Sequence, residues 1–197
     1  VAIGKFAMGG GDTTGINNIA MGNSTMDALT TGLGNIALGQ NAMGASTTGC
    51  VNIAIGAQAL GTANAGKCNI ALGHASMDAL TTGLENIALG INALGASTTG
   101  CNNVAIGSTA LGAADTTGIN NVAIGTNTMD ALTSGLDNVA LGRDALGAAT
   151  TGYRNIAIGL TTMGAGGNTG HDNIALGMSA MESLSTGICN VALGVNA

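Results

Sequence analysis

Asn-Ile/Val-Ala-Ile/Leu/Met-Gly recurs from one end of this chain to the other, and no other feature limits its fold as tightly. The asparagine opening each copy falls at Asn18, Asn35, Asn52, Asn69, Asn86, Asn103, Asn121, Asn138, Asn155, Asn173 and Asn190, in steps of 17 or 18 residues. A fixed period this short is the mark of a solenoid in which each copy forms one rung. A rung cannot bury its apolar face alone, so the rungs must stack. The expected fold is all-β: a parallel β-solenoid, or β-roll, of about eleven 17–18-residue rungs, about 50 Å long at the strand spacing. Residues 1–197 form a single repeat domain in this view. Its start and end part-way through a rung are expected of a fragment of a longer fibre.

Composition narrows the interior. The chain has 35 Gly, no Pro, no Trp, one Phe and one Tyr. Aromatic rings supply much of the bulk in ordinary cores; here Ala, Ile, Val, Leu and Met must do so, which suits two close-set walls. The net charge of −6 is spread thinly and no basic patch exists, which argues against a nucleic-acid partner. Gly, Asn and Thr interrupt every rung, so no apolar run is long enough for a membrane-spanning helix.

Counting the Asn as position 1, position 2 is always Ile or Val, position 3 always Ala, and position 4 Ile, Leu or Met. Alternate residues of a strand face opposite ways. The large residues at 2 and 4 are expected to face the interior, leaving Ala on the other face as an exposed stripe or a subunit interface. Corner glycines stand at position 5, as at Gly22, Gly39, Gly56, Gly73, Gly90, Gly107, Gly125, Gly142, Gly159 and Gly177. A second Gly closes the Thr-Thr-Gly phrase. Gly suits tight corners and positive φ, so two corners predict two strands per rung, the second broken and lying around positions 8 to 14. Leu or Met at position 9 is expected to point inward. The recurring Asn is expected to form a ladder of amide-to-amide hydrogen bonds up the stack. The extra residue of an 18-residue rung falls near Gly10-Gly11-Asp12, Ala114-Asp115 or Gly166-Gly167. A corner can absorb it as a bulge, whereas a strand would swap its faces.

A longer period overlies the first. Met26-Asp27-Ala28-Leu29, Met77-Asp78-Ala79-Leu80, Met129-Asp130-Ala131-Leu132 and Met181-Glu182-Ser183-Leu184 are spaced 51, 52 and 52 residues apart, or three rungs. Duplication of a three-rung unit is the plain explanation.

Enzymatic chemistry is not legible, and no catalytic, cofactor-binding or metal-binding residue is assigned. The acids of the longer repeat would stand about 14 Å apart along the axis, beyond the about 5 to 10 Å over which paired carboxylates share acid–base work. His74 and His171 lack Cys or acid at ligand spacing. Cys50 and Cys101 share a rung position three rungs apart, too far for a disulfide; Cys68 is offset by one residue from Cys50, and Cys189 is isolated. The glycines lack the strand–GxGxxG–helix context of a nucleotide site. Thr-Thr pairs such as Thr30-Thr31, Thr81-Thr82 and Thr98-Thr99 raise the possibility of an ice-binding face, but adjacent strand residues face opposite sides. Hydroxyls beside a Gly corner commonly bond turn backbone, which is the preferred expectation here.

The phrase seen at Asn86-Ile87-Ala88-Leu89-Gly90, Ala93-Leu94 and Thr98-Thr99-Gly100 closely resembles repeats of phage tail fibre proteins. Val-Ala-Ile-Gly, as at Val104 to Gly107, is similar to the head repeats of trimeric autotransporter adhesins. The resemblance covers the whole chain, which departs from the adhesins in its longer rung and its lack of stalk heptads. It implies a homotrimer, with either the Ala stripe or the Ile/Leu face at the axis. It also implies a structural segment in the shaft of a viral tail fibre, located on the virion. The chain's partners would be itself and other fibre or virion proteins, with the host cell surface reached only through flanking parts. The alternatives are the head of a bacterial surface adhesin, or a self-assembling extracellular filament. Near-absence of Trp and Tyr argues against a sugar-binding platform within this stretch.

Overall fold

In a computed structural model each Ile/Val-Ala-Ile/Leu/Met triplet is a strand. The strands are β1 (Ala2–Ile3), β2 (Ile19–Met21), β3 (Ile36–Leu38), β4 (Ile53–Ile55), β5 (Ile70–Leu72), β6 (Ile87–Leu89), β7 (Val104–Ile106), β8 (Val122–Ile124), β9 (Val139–Leu141), β10 (Ile156–Ile158), β11 (Ile174–Leu176) and β12 (Val191–Leu193). The structure describes residues 1–10, 14–62 and 65–197. All twelve strands lie in one parallel sheet in sequence order, which is a β-solenoid of about eleven turns.

Register is uniform. Ala20 pairs with Ala37, Ala37 with Ala54 and Ala54 with Ala71, with the flanking residues matched likewise. The two 18-residue rungs among the described residues keep it: Val104 pairs with Val122, and Ile156 with Ile174. Their extra residue is taken up away from the strands. In one, Asp115 Oδ1 accepts from the Thr98 N–H at 2.9 Å. In the other, the Gly170 N–H donates to the side chain of buried Asn168 at 2.7 Å. Gly11 and Asp12 lie outside the described residues.

The faces of the strand are the reverse of the expectation from hydrophobicity. Ala at position 3 is fully buried from Ala20 to Ala175, while the large residues at positions 2 and 4 point outward. Volume decides this. The interior opposite the strand is already filled by position 9 (Met26, Met43, Leu60, Met77, Leu94, Leu111, Met129, Leu146, Met163), all fully buried. Position 8, as Ala, Ser or Thr, fills in beside them. A rung of 17 residues closes on too little space for Ile or Leu to enter from both walls. Close packing leaves a methyl group as the side chain that fits.

Among the described residues no second strand per rung forms either. Turns run over positions 6 to 9, and on to position 11 in most rungs, and three residues besides the corner glycine sit at positive φ: positions 7, 9 and the residue before Asn, none of them glycine except Gly34. In one rung these are Gln58 (φ 59), Leu60 (φ 50) and Cys68 (φ 57). Left-handed residues cannot continue a pleated strand. The backbone still bonds rung to rung outside the strands, as where Met43 N–H donates to Ala59 O and Leu60 N–H to Ser76 O, each at 3.0 Å. The same surface that breaks the strand therefore keeps the ladder.

Candidate functional site

Four features of the rod are candidates for function: the Asn ladder, the outward face of the sheet, a row of notches on the turn side, and one cluster of charged and aromatic residues.

The eleven repeat asparagines rise in one file, buried from Asn18 to Asn173 and exposed only at Asn190, in the last rung. Asn52 Nδ2 donates to Asn35 Oδ1 at 3.2 Å and to the Gly66 carbonyl of its own rung at 2.8 Å. Asn35 Oδ1 also accepts the Asn52 backbone N–H at 2.9 Å. The same three bonds recur at Asn69, Asn86, Asn103, Asn121, Asn138, Asn155 and Asn173. Each interior amide thus uses both N–H groups and both lone pairs, which is what burial of an amide demands. These residues are consumed by the scaffold and present nothing to a ligand.

The corner glycines serve close approach. Gly90 has φ 139, and a Cβ there would stand 2.5 Å from the Gly107 carbonyl oxygen of the next rung. The second glycine column differs from expectation: Gly83 has no positive φ, and its constraint is crowding, with a Cβ meeting Gly100 O and Leu80 Cδ1 at 2.5 Å each.

Outward from β2 to β12, positions 2 and 4 make two unbroken columns of Ile, Val, Leu and Met with no polar side chain between them. The column two residues before each Asn widens the stripe with Ile16, Leu33, Leu84, Ile119, Leu136 and Ile188, all exposed.

On the turn side, Asp27 and Asp78 bound an open notch of about 390 Å³ floored by Gly44 and Gly61, with Asn41 and Gln58 along one wall. One super-repeat further on, Asp78 opens a second notch of about 350 Å³ over Gly95 and Gly112. The acid leans back over the rung before it: a Cβ on Gly61 would lie 2.4 Å from Asp78 Oδ1, and Asp130 Oδ1 accepts the Ala113 N–H at 2.9 Å. Burial raises the Asp78 pKa, offset in part by His74 and by the Gly61 N–H.

The cluster lies between two neighbouring rungs. Tyr153 stacks on His171 with ring centroids 4.4 Å apart, and the Arg154 guanidinium sits 4.6 Å from the Tyr153 ring centre. Arg154 donates from Nε and Nη2 to the two oxygens of Asp172 at 2.7 and 2.8 Å, and His171 Nδ1 lies 2.7 Å from Asp172 Oδ2. Arg154, then His171, hold the Asp172 carboxyl well below the usual carboxylate range. The charged groups of the cluster are paired with one another.

The remaining sequence candidates are dispersed. His74 and His171 stand in different columns. All four cysteines are free thiols; Cys50 and Cys101 donate weakly to Thr48 O and Thr99 O. Among the described residues no three His, Cys, Asp or Glu side chains gather as a metal site. In the pairs Thr30-Thr31 and Thr81-Thr82 the first hydroxyl donates to the next rung's backbone, to Thr47 O and Thr98 O at 3.0 Å each; Thr98 donates instead to Asp115 Oδ1 at 2.8 Å. Sequence reasoning missed the outward stripe and the notches. The Gly/Asp alternation at position 10 was the signal for the notches; the stripe was hidden by the assumption that large apolar residues go inside.

Compared with protein-family models, curated proteins and solved structures, the chain matches none. Among the described residues no helix is long and apolar enough to cross a membrane.

Proposed function

We propose that this chain is a structural rod: a segment in the shaft of a viral tail fibre, built as a homotrimer and holding a receptor-binding part away from the particle. The observation that carries this is where the side chains are used. The most regular polar groups, the buried asparagines, bond to one another and to corner carbonyls, and the most regular apolar groups form a lengthwise stripe on the outside. Both arrangements add stiffness and length, rung by rung, as expected for a solenoid whose stability is a sum of neighbour contacts. Neither builds a reaction centre, so the chain is read as non-enzymatic. An ice-binding role is weaker, because hydroxyls of the Thr pairs are spent within the rod, those of Thr30 and Thr81 on backbone and that of Thr98 on Asp115.

The test is location. An antibody raised against the chain and imaged by immunogold electron microscopy should mark fibres projecting from virions. Label on bacterial envelopes would favour the adhesin head instead, and label on free strands a self-assembling filament.

A further inference from the structure

We propose that the notches on the turn side bind linear aliphatic polyamines, one extended molecule to a notch, with its terminal ammonium groups on successive carboxylates of the three-rung repeat. This holds whether or not the rod belongs to a tail fibre.

The net charge of the chain is not spread evenly around the rod. All four Lys and Arg stand at position 6 or within the two residues before an Asn: Lys5, Lys67, Arg143 and Arg154. Positions 7 to 14 hold none of them, whereas Asp27, Asp78, Asp115, Asp130, Asp144 and Glu182 all lie there. Arg143 reaches across to Asp144, and Arg154 is taken by Asp172. Among the described residues no Lys or Arg pairs with Asp27, Asp78, Asp130 or Glu182. Uncompensated charge of one sign along a face draws a partner of the other sign.

Shape selects among cations. Asp27, Gly44, Gly61 and Asp78 share one column, so the notch of about 390 Å³ is the gap left in that column by two glycines. The carboxylates at its ends are three rungs, or about 14 Å, apart. A divalent ion, with oxygen ligands at about 2.0 to 2.6 Å, does not bridge them. An extended basic peptide would span the gap, but its amide groups would need partners, and the floor has spent its own. The Gly44 and Gly61 N–H groups donate to Asn41 O and Gln58 O at 3.0 Å each, and those of Ala45 and Thr62 to Gly61 O and Asp78 O in the next rungs at 2.9 and 3.0 Å. A polyamine brings donors only, on a methylene chain thin enough to lie along a glycine floor. At about 1.25 Å of length per bond, the end nitrogens of spermidine stand about 11 Å apart. The ion-pair contacts at the two ends take up the rest. The side-chain amides of Asn41 and Gln58 on one wall offer oxygens to its central ammonium. Asp78 also opens the next notch, over Gly95 and Gly112, so it serves two sites.

The test is an NMR titration of the full 197-residue chain, reading backbone amide shifts. Spermidine should move Gly44 and Gly61 together with Gly95 and Gly112. Putrescine, with nitrogens only about 6 Å apart, reaches one carboxylate at a time and should bind about fivefold more weakly. Asp78→Asn should weaken spermidine about fivefold at both notches, and Asp137→Asn, on the strand side, should change neither. Asp27→Asn alters only the first notch: Gly44 and Gly61 should lose affinity while Gly95 and Gly112 keep theirs. That variant decides should Asp78→Asn lose its β-sheet circular dichroism, and an equal loss at both notches would count against the assignment. Equal affinity for the two amines overturns the bridging. Shifts spread over all the acids, Asp137 included, mean a diffuse counter-ion atmosphere and overturn the site, as does the lack of any shift with excess spermidine.

Discussion

The strand side and the turn side of each rung are built under different rules. On the strand side, positions 1 to 5 barely change over twelve rungs, and each residue bonds or packs against its own kind above and below. On the turn side, position 10 alternates between acid and glycine and position 12 between Leu and small residues, every third rung. The structure supplies a reason for part of this pattern. Leu80 Cδ1 crowds its own rung's Gly83, and Cδ2 reaches to within 3.9 Å of a Cβ built on Gly66 in the rung before. Leu29, Leu80 and Leu132 are fully buried. Asp78 lies over the bare glycine below it, Gly61. A side chain at residue 61 would have to displace the Asp78 carboxylate. Duplication of a three-rung unit accounts for the period being three. Identity up the stack is a hydrogen-bonding requirement on one side, and alternation is a steric one on the other.

That contrast can be broken most forcefully on the strand side. Gly90→Ala combines a φ that L residues avoid with a Cβ placed against the Gly107 carbonyl. It should cost about 4 kcal/mol, read as a lower urea midpoint with unchanged slope. Asn103→Ala removes the bonds to Asn86 Oδ1 and Gly118 O, and strands the N–H groups of Asn121. A loss of about 3 kcal/mol is expected from the unpaired buried groups, with faster amide exchange in the rungs on either side.

Change away from the columns should be mild or favourable. Val51 is a β-branched residue at φ 57, 60% exposed, in a column where Gly34 already holds φ 66. Val51→Gly should stabilise by about 1 kcal/mol through relief of the left-handed strain, seen as a raised Tm. Ser46 Oγ is buried without a partner, the sole such side-chain atom among the described residues. Ser46→Ala should be neutral or stabilising by under about 1 kcal/mol. The smallest effect concerns pH. The folded Asp172 pKa is held below its unfolded value by Arg154 and His171. Its contribution is present above the ordinary carboxylate range and is lost as pH falls through the depressed pKa. Asp172→Asn should lower Tm slightly at neutral pH, and the difference should vanish in strong acid.

Sequence alone yields the stacking, the period and the asparagine file, because each depends on matching residues at a fixed spacing. It misleads about Ala88 and Ile87. Hydrophobicity ranks Ile87 as the core residue, but the interior volume left by Leu94 admits only Ala88. It is also silent about the turns. Leu60 and Gln58 carry no signal for positive φ, a state usually announced by Gly or Asn. At Leu60 the residue is not glycine because position 9 must place a large side chain inward. The notches were half legible, as glycines recurring opposite acids, but their depth follows from the turn geometry and not from spacing.

The central claim is that equivalent asparagines stand in one file and saturate each other's hydrogen bonds. Side-chain amide hydrogen exchange, followed by NMR on asparagine-labelled protein, tests it most directly. Slow exchange is predicted for the Nδ2 groups of Asn35 through Asn173, with rapid exchange for the exposed Asn92 and Asn102. Rapid exchange at both sets would contradict the stacked ladder.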